Sequence, residues 1–270
     1  MTHPALPTYF LSHGGGPWPW MLDQYGGRYD ALKASLEDIP RQLGARPKAV
    51  LAVTAHWEGR EPLISASAHP PMIYDYGGFP EHTYRIRYDA PGAPDVAAHV
   101  RSLLNGAGIA AQLDHERGFD HGTFSAMYPI YPDADVPIVQ LSLKHGLDPH
   151  EHIEIGRALA PLRDEGILIV GSGLSYHNLR QFGAGGAAAS QQFDAWLRDT
   201  MALTPAERTA ALIRWEMAPA ARAAHPREEH LLPLMVALGA AEQEAAVTVY
   251  HEDAFMGALA VSSFRFGNGL

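Results

Sequence analysis

Ala49-Val50-Leu51-Ala52-Val53-Thr54-Ala55-His56-Trp57-Glu58 is the stretch from which the fold is read. Residues 49–54 are apolar or β-branched with no polar residue at alternate places, the pattern of a strand buried on both faces in a parallel sheet. The run then stops at a histidine. Two other stretches are built alike. Thr8-Tyr9-Phe10-Leu11-Ser12 leads into His13-Gly14-Gly15-Gly16, and Ile167-Leu168-Ile169-Val170 leads through Gly171-Ser172-Gly173 to His177. In open α/β sheets the carboxyl ends of parallel strands meet at one crevice, where ligands bind. Imidazoles gathered there, in a chain without cysteine, read as a nitrogen-ligated metal site that does chemistry.

Working outward, helical spacing runs over residues 29–43 (closed by Gly44), 94–104, 152–162, 191–202, 205–215 and 226–238. Further strands are expected at 109–113, 136–143 and 246–251, with 261–266 as an edge strand. Residues 62–90 are dense in Pro, Gly and Tyr and lose the helical period, so they read as an excursion over the mouth of the sheet. The alternation predicts one α/β domain over residues 1–270: a mainly parallel central sheet with helices on both faces and the active site at the strand carboxyl ends.

Composition removes several classes. Thirty acidic against 20 basic residues give a net charge of −10, and no basic stripe is present to follow a nucleic-acid backbone. No apolar stretch approaches the ~18 residues that span a bilayer. Residues 1–7 lack the basic and apolar regions of a signal peptide. Disulfides and thiolate zinc sites are excluded without cysteine, and a cytoplasmic enzyme is expected.

Five histidines stand out. His13 alone is most simply a hydrogen-bonded histidine at a strand end, and the glycines after it lack the Gly-Lys-Ser/Thr ending of a phosphate loop. His56 repeats the placement on the next strand. Sequential strands tend to be neighbours, so the pair reads as metal ligands. Asp120-His121-Gly122 is either a loop histidine that meets substrate oxygen or a capping Asp followed by a solvated His. His177 follows a Gly-Ser-Gly turn that is not a nucleophile elbow, and reads as a base or a further ligand. His230, in His225-Pro226-Arg227-Glu228-Glu229-His230, opens a helix, with Glu229 a rival for the same ligand role. The remaining histidines (3, 69, 82, 99, 115, 145, 150, 152 and 251) read mainly as surface residues, with His115 and His145 held in reserve.

Together, Ser12-His13-Gly14, Ala55-His56-Trp57, Tyr74-Asp75-Tyr76-Gly77-Gly78-Phe79-Pro80, Asp120-His121-Gly122, Tyr131-Pro132-Asp133 through Pro137, Gly171-Ser172-Gly173 through Arg180, and His225-Pro226 through His230 form an ordered set over nearly the whole chain. This set resembles the class III extradiol ring-cleavage dioxygenases, the superfamily of the protocatechuate 4,5-dioxygenase catalytic subunit, and within it the 4,5-DOPA branch. The resemblance implies a mononuclear non-haem metal held by His13, His56 and His230, where the wider superfamily has a glutamate at the third place. It implies His177 as base or fourth ligand and His121 beside the substrate oxygens. The substrates would be a catechol such as DOPA and O2. Iron(II) would serve activity, and a set of imidazoles suits zinc as well.

Two alternatives stay open at this point: a zinc hydrolase using His177 or Glu58 as base, and a non-catalytic binding protein on the same scaffold. Trp18, Trp57, Tyr74, Tyr76 and Phe79 are candidates to wall an aromatic ring. Arg85, Arg87 and Arg180 are candidate partners for a substrate carboxylate. Oligomeric state is not readable.

Overall fold

Apolar runs bounded by turn residues become strands because both of their faces find cover. A computed structural model describes residues 5–269, so His3 lies outside the described residues. Among these, eight strands form one sheet: β1 (Thr8–Ser12), β2 (Ala49–Gly59), β3 (Leu63–Ser65), β4 (Gln112–Asp114), β5 (Ile138–Lys144), β6 (Ile167–Gly173), β7 (Ala246–Phe255) and β8 (Leu259–Phe266). Their spatial order is β4-β3-β5-β2-β6-β1-β8-β7. The four central strands β5, β2, β6 and β1 are parallel, while β8 joins β1, β7 joins β8 and β3 joins β5 antiparallel. The expected single α/β domain with a mainly parallel sheet is therefore what forms.

Successive side chains of β2 and β6 feed two cores. Val50, Ala52, Leu168 and Val170 pack with Leu32, Leu36, Phe124, Met127 and Phe193 on one face. Leu51, Val53, Ile167 and Ile169 pack with Val100, Leu104, Ile155, Leu159, Leu232 and Val236 on the other. Helices Asp30–Glu37, His121–Ile130 and Ala187–Met201 thus cover the first face, Pro94–Gly106 and Pro149–Leu159 the second, and Leu232–Ala240 contributes to both cores. No helix of the described residues is long and apolar enough to cross a membrane.

Four expectations need correction. β1 and β2 are not neighbours, because β6 lies between them. The three runs read from the sequence are instead three consecutive strands, β2-β6-β1. The span 261–266 is not an edge: β8 is interior and β7 is the edge. Ser262 and Ser263 of β8 are both buried, and Ser263 Oγ accepts a hydrogen bond from Ser12 N at 2.9 Å. The helix expected over 29–43 is broken into Asp30–Glu37 and Ile39–Leu43, since Pro40 has no N–H to continue the ladder. The helix expected from 226 begins only at Leu232, with Pro233 in its first turn, which leaves 225–231 as an irregular segment that reaches the sheet's carboxyl edge.

Candidate active site and metal centre

Each cluster histidine is delivered by a different device. His13 extends the β1–β6 ladder by one bond, its N–H donating to Gly173 O at 3.0 Å. The chain then turns away at Gly14, whose φ of +75° is a left-handed conformation. Trp18 Nε1 donates to His13 O at 2.7 Å and fixes that turn. His56 sits on the far half of β2, where the register with β5 shifts. Its N–H donates to Thr54 Oγ, and that hydroxyl donates to Asp120 Oδ1 at 2.9 Å. Asp120 is wholly buried and caps the following helix by accepting from Thr123 N. Of the reading as a capping Asp followed by a solvated His, the cap is present, but His121 is buried as the first residue of the helix His121–Ile130. His230 O accepts from Leu174 N at 3.1 Å, bringing the 225–231 segment against the end of β6. That approach needs a glycine at 173, where a Cβ would stand 2.1 Å from His230 O.

The ring nitrogens then converge. Nε2 of His56 lies 3.3 Å from Nε2 of His13 and 3.3 Å from Nε2 of His230. The opposite nitrogen of each ring faces an acceptor. His13 Nδ1 is 3.1 Å from Ser172 Oγ, His230 Nδ1 is 2.9 Å from Glu229 Oε1, and His56 Nδ1 is 3.3 Å from Asp75 Oδ2. Ser172 must spend its own hydrogen on the carbonyl of Gly122, since a carbonyl cannot donate. Ser172 Oγ therefore accepts from His13 Nδ1–H. With each Nδ1 turned to an acceptor, the Nε2 atoms of His13 and His230 meet at Nε2 of His56. Burial and the neighbouring imidazoles hold His13 and His230 well below the usual histidine range and His56 down to about 3, so a proton is a poor occupant of that point. A divalent cation fits it: nitrogens 2.0–2.1 Å from one tetrahedral metal lie about 3.3 Å apart. Acceptors behind each ligand are the usual support of a metal-bound imidazole.

His121 and His177 flank this triangle. The His121 ring centroid is 4.1 Å from that of His56, and its Nδ1 and backbone N–H both donate to Asp75 Oδ1, at 2.9 and 3.0 Å. Burial alone would raise the Asp75 pKa, but those bonds and the facing imidazoles bring it to about 2. His177 stacks on His230 with centroids 3.3 Å apart, and its Nδ1 is 3.0 Å from Glu229 Oε1. Glu229 is thus shared by two histidines. Burial works against its charge, yet the His177 bond and Arg227 keep its pKa below the ordinary value. Potential ligand atoms of His13, His56 and His121 lie within 4.8 Å of one another, as do those of His177, Glu229 and His230. The 3.3 Å contact between His56 and His230 joins the two groups. The cluster opens on a cavity of about 790 Å³ with Tyr25, Tyr29, Tyr76, Phe79 and Phe182 in its wall.

Residues 7–264 match the family model described as the catalytic LigB subunit of aromatic ring-opening dioxygenase. This chain belongs to that family. A relative from Hapsidospora irregularis named "Dioxygenase tasH" is 38% identical over 269 residues, 92% of this chain and 82% of its own length. A "4,5-DOPA dioxygenase extradiol" of Beta vulgaris is 36% identical over 264 residues, 96% of each chain. The crystal structure of an uncharacterised Escherichia coli K12 protein superposes with a TM-score of 0.76 at 30% identity, covering 97% of this chain and all of the other. As a LigB-type extradiol dioxygenase the chain is an oxidoreductase of a non-haem, metal-dependent family.

All five histidines singled out in this LigB-family sequence meet in the cavity, as do Tyr76 and Phe79. The other proposed wall residues do not. Trp18 stacks on Tyr29 behind the glycine turn, Trp57 is buried against Arg117, and Tyr74 donates to Ile86 O. Arg85 and Arg87 pair with Glu81 and Asp89 on the surface, and Arg180 lines a neighbouring groove. The reserves His115 and His145 are exposed. His152, read as a surface residue, is buried, accepting from Lys144 N. Sequence reasoning gave no role to Asp75, Ser172 or Arg227. Glu229, its rival ligand, turns Oε1 to Nδ1 of His230 and of His177 and stays among the potential ligand atoms of that group.

Proposed function

We propose that this enzyme opens catechol rings beside the diol, with a DOPA-type catechol and O2 as substrates, and that His13, His56 and His230 hold iron(II). The gathering of Nε2 of His13 and of His230 against Nε2 of His56 carries the reading. When bound, iron(II) supplies the redox chemistry by which O2 attacks a catechol and a positive charge that favours the deprotonated diol. His177 is the base. Glu229 accepts its Nδ1–H, which leaves Nε2 with a lone pair for the catechol proton and places a carboxylate against the imidazolium that forms. Its ring stacks on that of His230, with centroids 3.3 Å and planes 19° apart, so an in-plane lone pair of His177 lies in a layer displaced from that of His230, which favours base over fourth ligand. His121, backed by Asp75, can carry a proton at Nε2 and meet negative charge that develops on substrate oxygen. The aromatic wall excludes water and orients the ring. A DOPA-type substrate is favoured by the name of the Beta vulgaris relative.

The test is to purify the protein, reconstitute it with iron(II) without oxygen, add DOPA or a simple catechol, and then admit O2. Rising yellow absorbance with oxygen uptake is expected, lost in His13→Ala and in His177→Ala. Metal should remain bound in His177→Ala alone. Absence of oxygen uptake with every catechol refutes the reading.

A further inference from the structure

Outside the histidine cluster and its two carboxylates, Asp75 and Glu229, the charged side chains that line the cavity among the described residues are Glu58 and Arg227. They bind each other fork to fork, with both N–O distances 2.6 Å. Arg227 also lies 3.6 Å from Glu229, and 54% of its side chain is exposed, so the pair stands at the mouth. Glu58 follows His56 by two residues on β2. Trp57 between them is buried while both neighbours are partly open, so His56 and Glu58 share one face of the strand. Two strand residues advance about 6.6 Å, the reach of an aromatic ring with a short side chain. A substrate whose diol lies at the cluster therefore presents its far end to this pair.

We propose that the Glu58–Arg227 pair is the specificity determinant for that far end and selects a catechol bearing a zwitterionic α-amino-acid tail; this rests on the catechol-cleavage reading above. An incoming carboxylate can take the fork of Arg227 while an incoming ammonium takes Glu58, so each charge exchanges one partner for another. A tail with only a carboxylate strands Glu58, one with only an ammonium strands Arg227, and an uncharged tail gains nothing from either. Stranded or unmatched charge is how such a site rejects the wrong ligand.

Calorimetry on the metal-loaded enzyme without oxygen, with L-DOPA, dihydroxyphenylpropionate, dopamine and 4-methylcatechol, tests the pair independently of turnover. L-DOPA should bind about tenfold more tightly than each of the other three, the gain of one charge-assisted bidentate contact at a partly exposed site. In Arg227→Met the ratio of L-DOPA to 4-methylcatechol should fall to about one to two. In Glu58→Gln the ratio of L-DOPA to dihydroxyphenylpropionate should fall likewise. Arg85→Met, outside the cavity, should move neither ratio. Binding of all four within twofold, or equal weakening of all four in Arg227→Met, overturns the inference. If the ratios hold but oxygen is never consumed, the pair reads the tail and the dioxygenase reading fails. Oxygen uptake with flat binding sinks the inference and leaves that reading standing, and no binding of any catechol sinks both.

Discussion

Ser172→Ala tests how the protein keeps the His13 lone pair free for a metal. Ser172 is wholly buried on β6, donates to the carbonyl of Gly122 and accepts from His13 Nδ1–H at 3.1 Å. Alanine fits the space but leaves both neighbours short of a partner. The Gly122 carbonyl lies in the helix His121–Ile130 and keeps its place in the helical ladder, so its loss sits at the low end, about 1 kcal/mol. The buried imidazole N–H costs about 1–3 kcal/mol when unpaired, which gives about 2–4 kcal/mol for the metal-free protein. His13 also gains the option of moving its proton to Nε2, where it competes with the metal, and loss of such a supporting contact typically weakens metal binding about 10–100-fold. Urea unfolding of the metal-free protein and competition against a chromophoric chelator read the two effects separately. If the variant loses stability but binds metal as the wild type does, Ser172 only packs and the tautomer argument is wrong.

Glu229→Gln keeps the shape but removes the charge that two rings share. Metal affinity should fall about tenfold, and kcat at saturating metal should fall with it; wild-type values for both would remove Glu229 from the site's working parts. His225 gives a pH prediction away from the metal ligands. It is wholly buried between Phe193 and Trp215, donates from Nε2 to Ser175 O at 2.9 Å, and leaves Nδ1 without a partner. Burial first, opposed by that backbone bond, lowers its pKa to about 4. The unfolded chain takes up the proton near pH 6.5, so this group's contribution is whole above that pH and is lost as pH falls towards 4, in all about 3 kcal/mol. In His225→Asn, the drop in urea-unfolding free energy between about pH 7 and about pH 4.5 should be smaller by roughly 2–3 kcal/mol; an equal drop in both proteins refutes the assignment.

What the sequence could and could not tell follows from the range over which each feature acts. Residues 49–54 and 167–170 announce strands because burial on both faces demands apolar residues without alternation, a local rule. A histidine at such a strand's end is brought to the crevice by topology alone. The inner position of β8 was hidden because Ser262 and Ser263 find their partners in Ser175 and Ser12, far away in the chain. Asp75 was hidden in the same way. Nothing around it is periodic, and its use depends on His121, 46 residues on, and on His56 from β2. Glu229 is the instructive case. A carboxylate beside a histidine on one irregular segment offers the same ligand chemistry as its neighbour, so sequence alone makes them rivals. The separation comes from direction. Glu229 meets Nδ1 of His230 and of His177, whereas Nε2 of His230 turns to His56. Oε1, placed behind two rings, aims a ligand here, so the carboxylate that reads in sequence as a rival works through the histidine beside it.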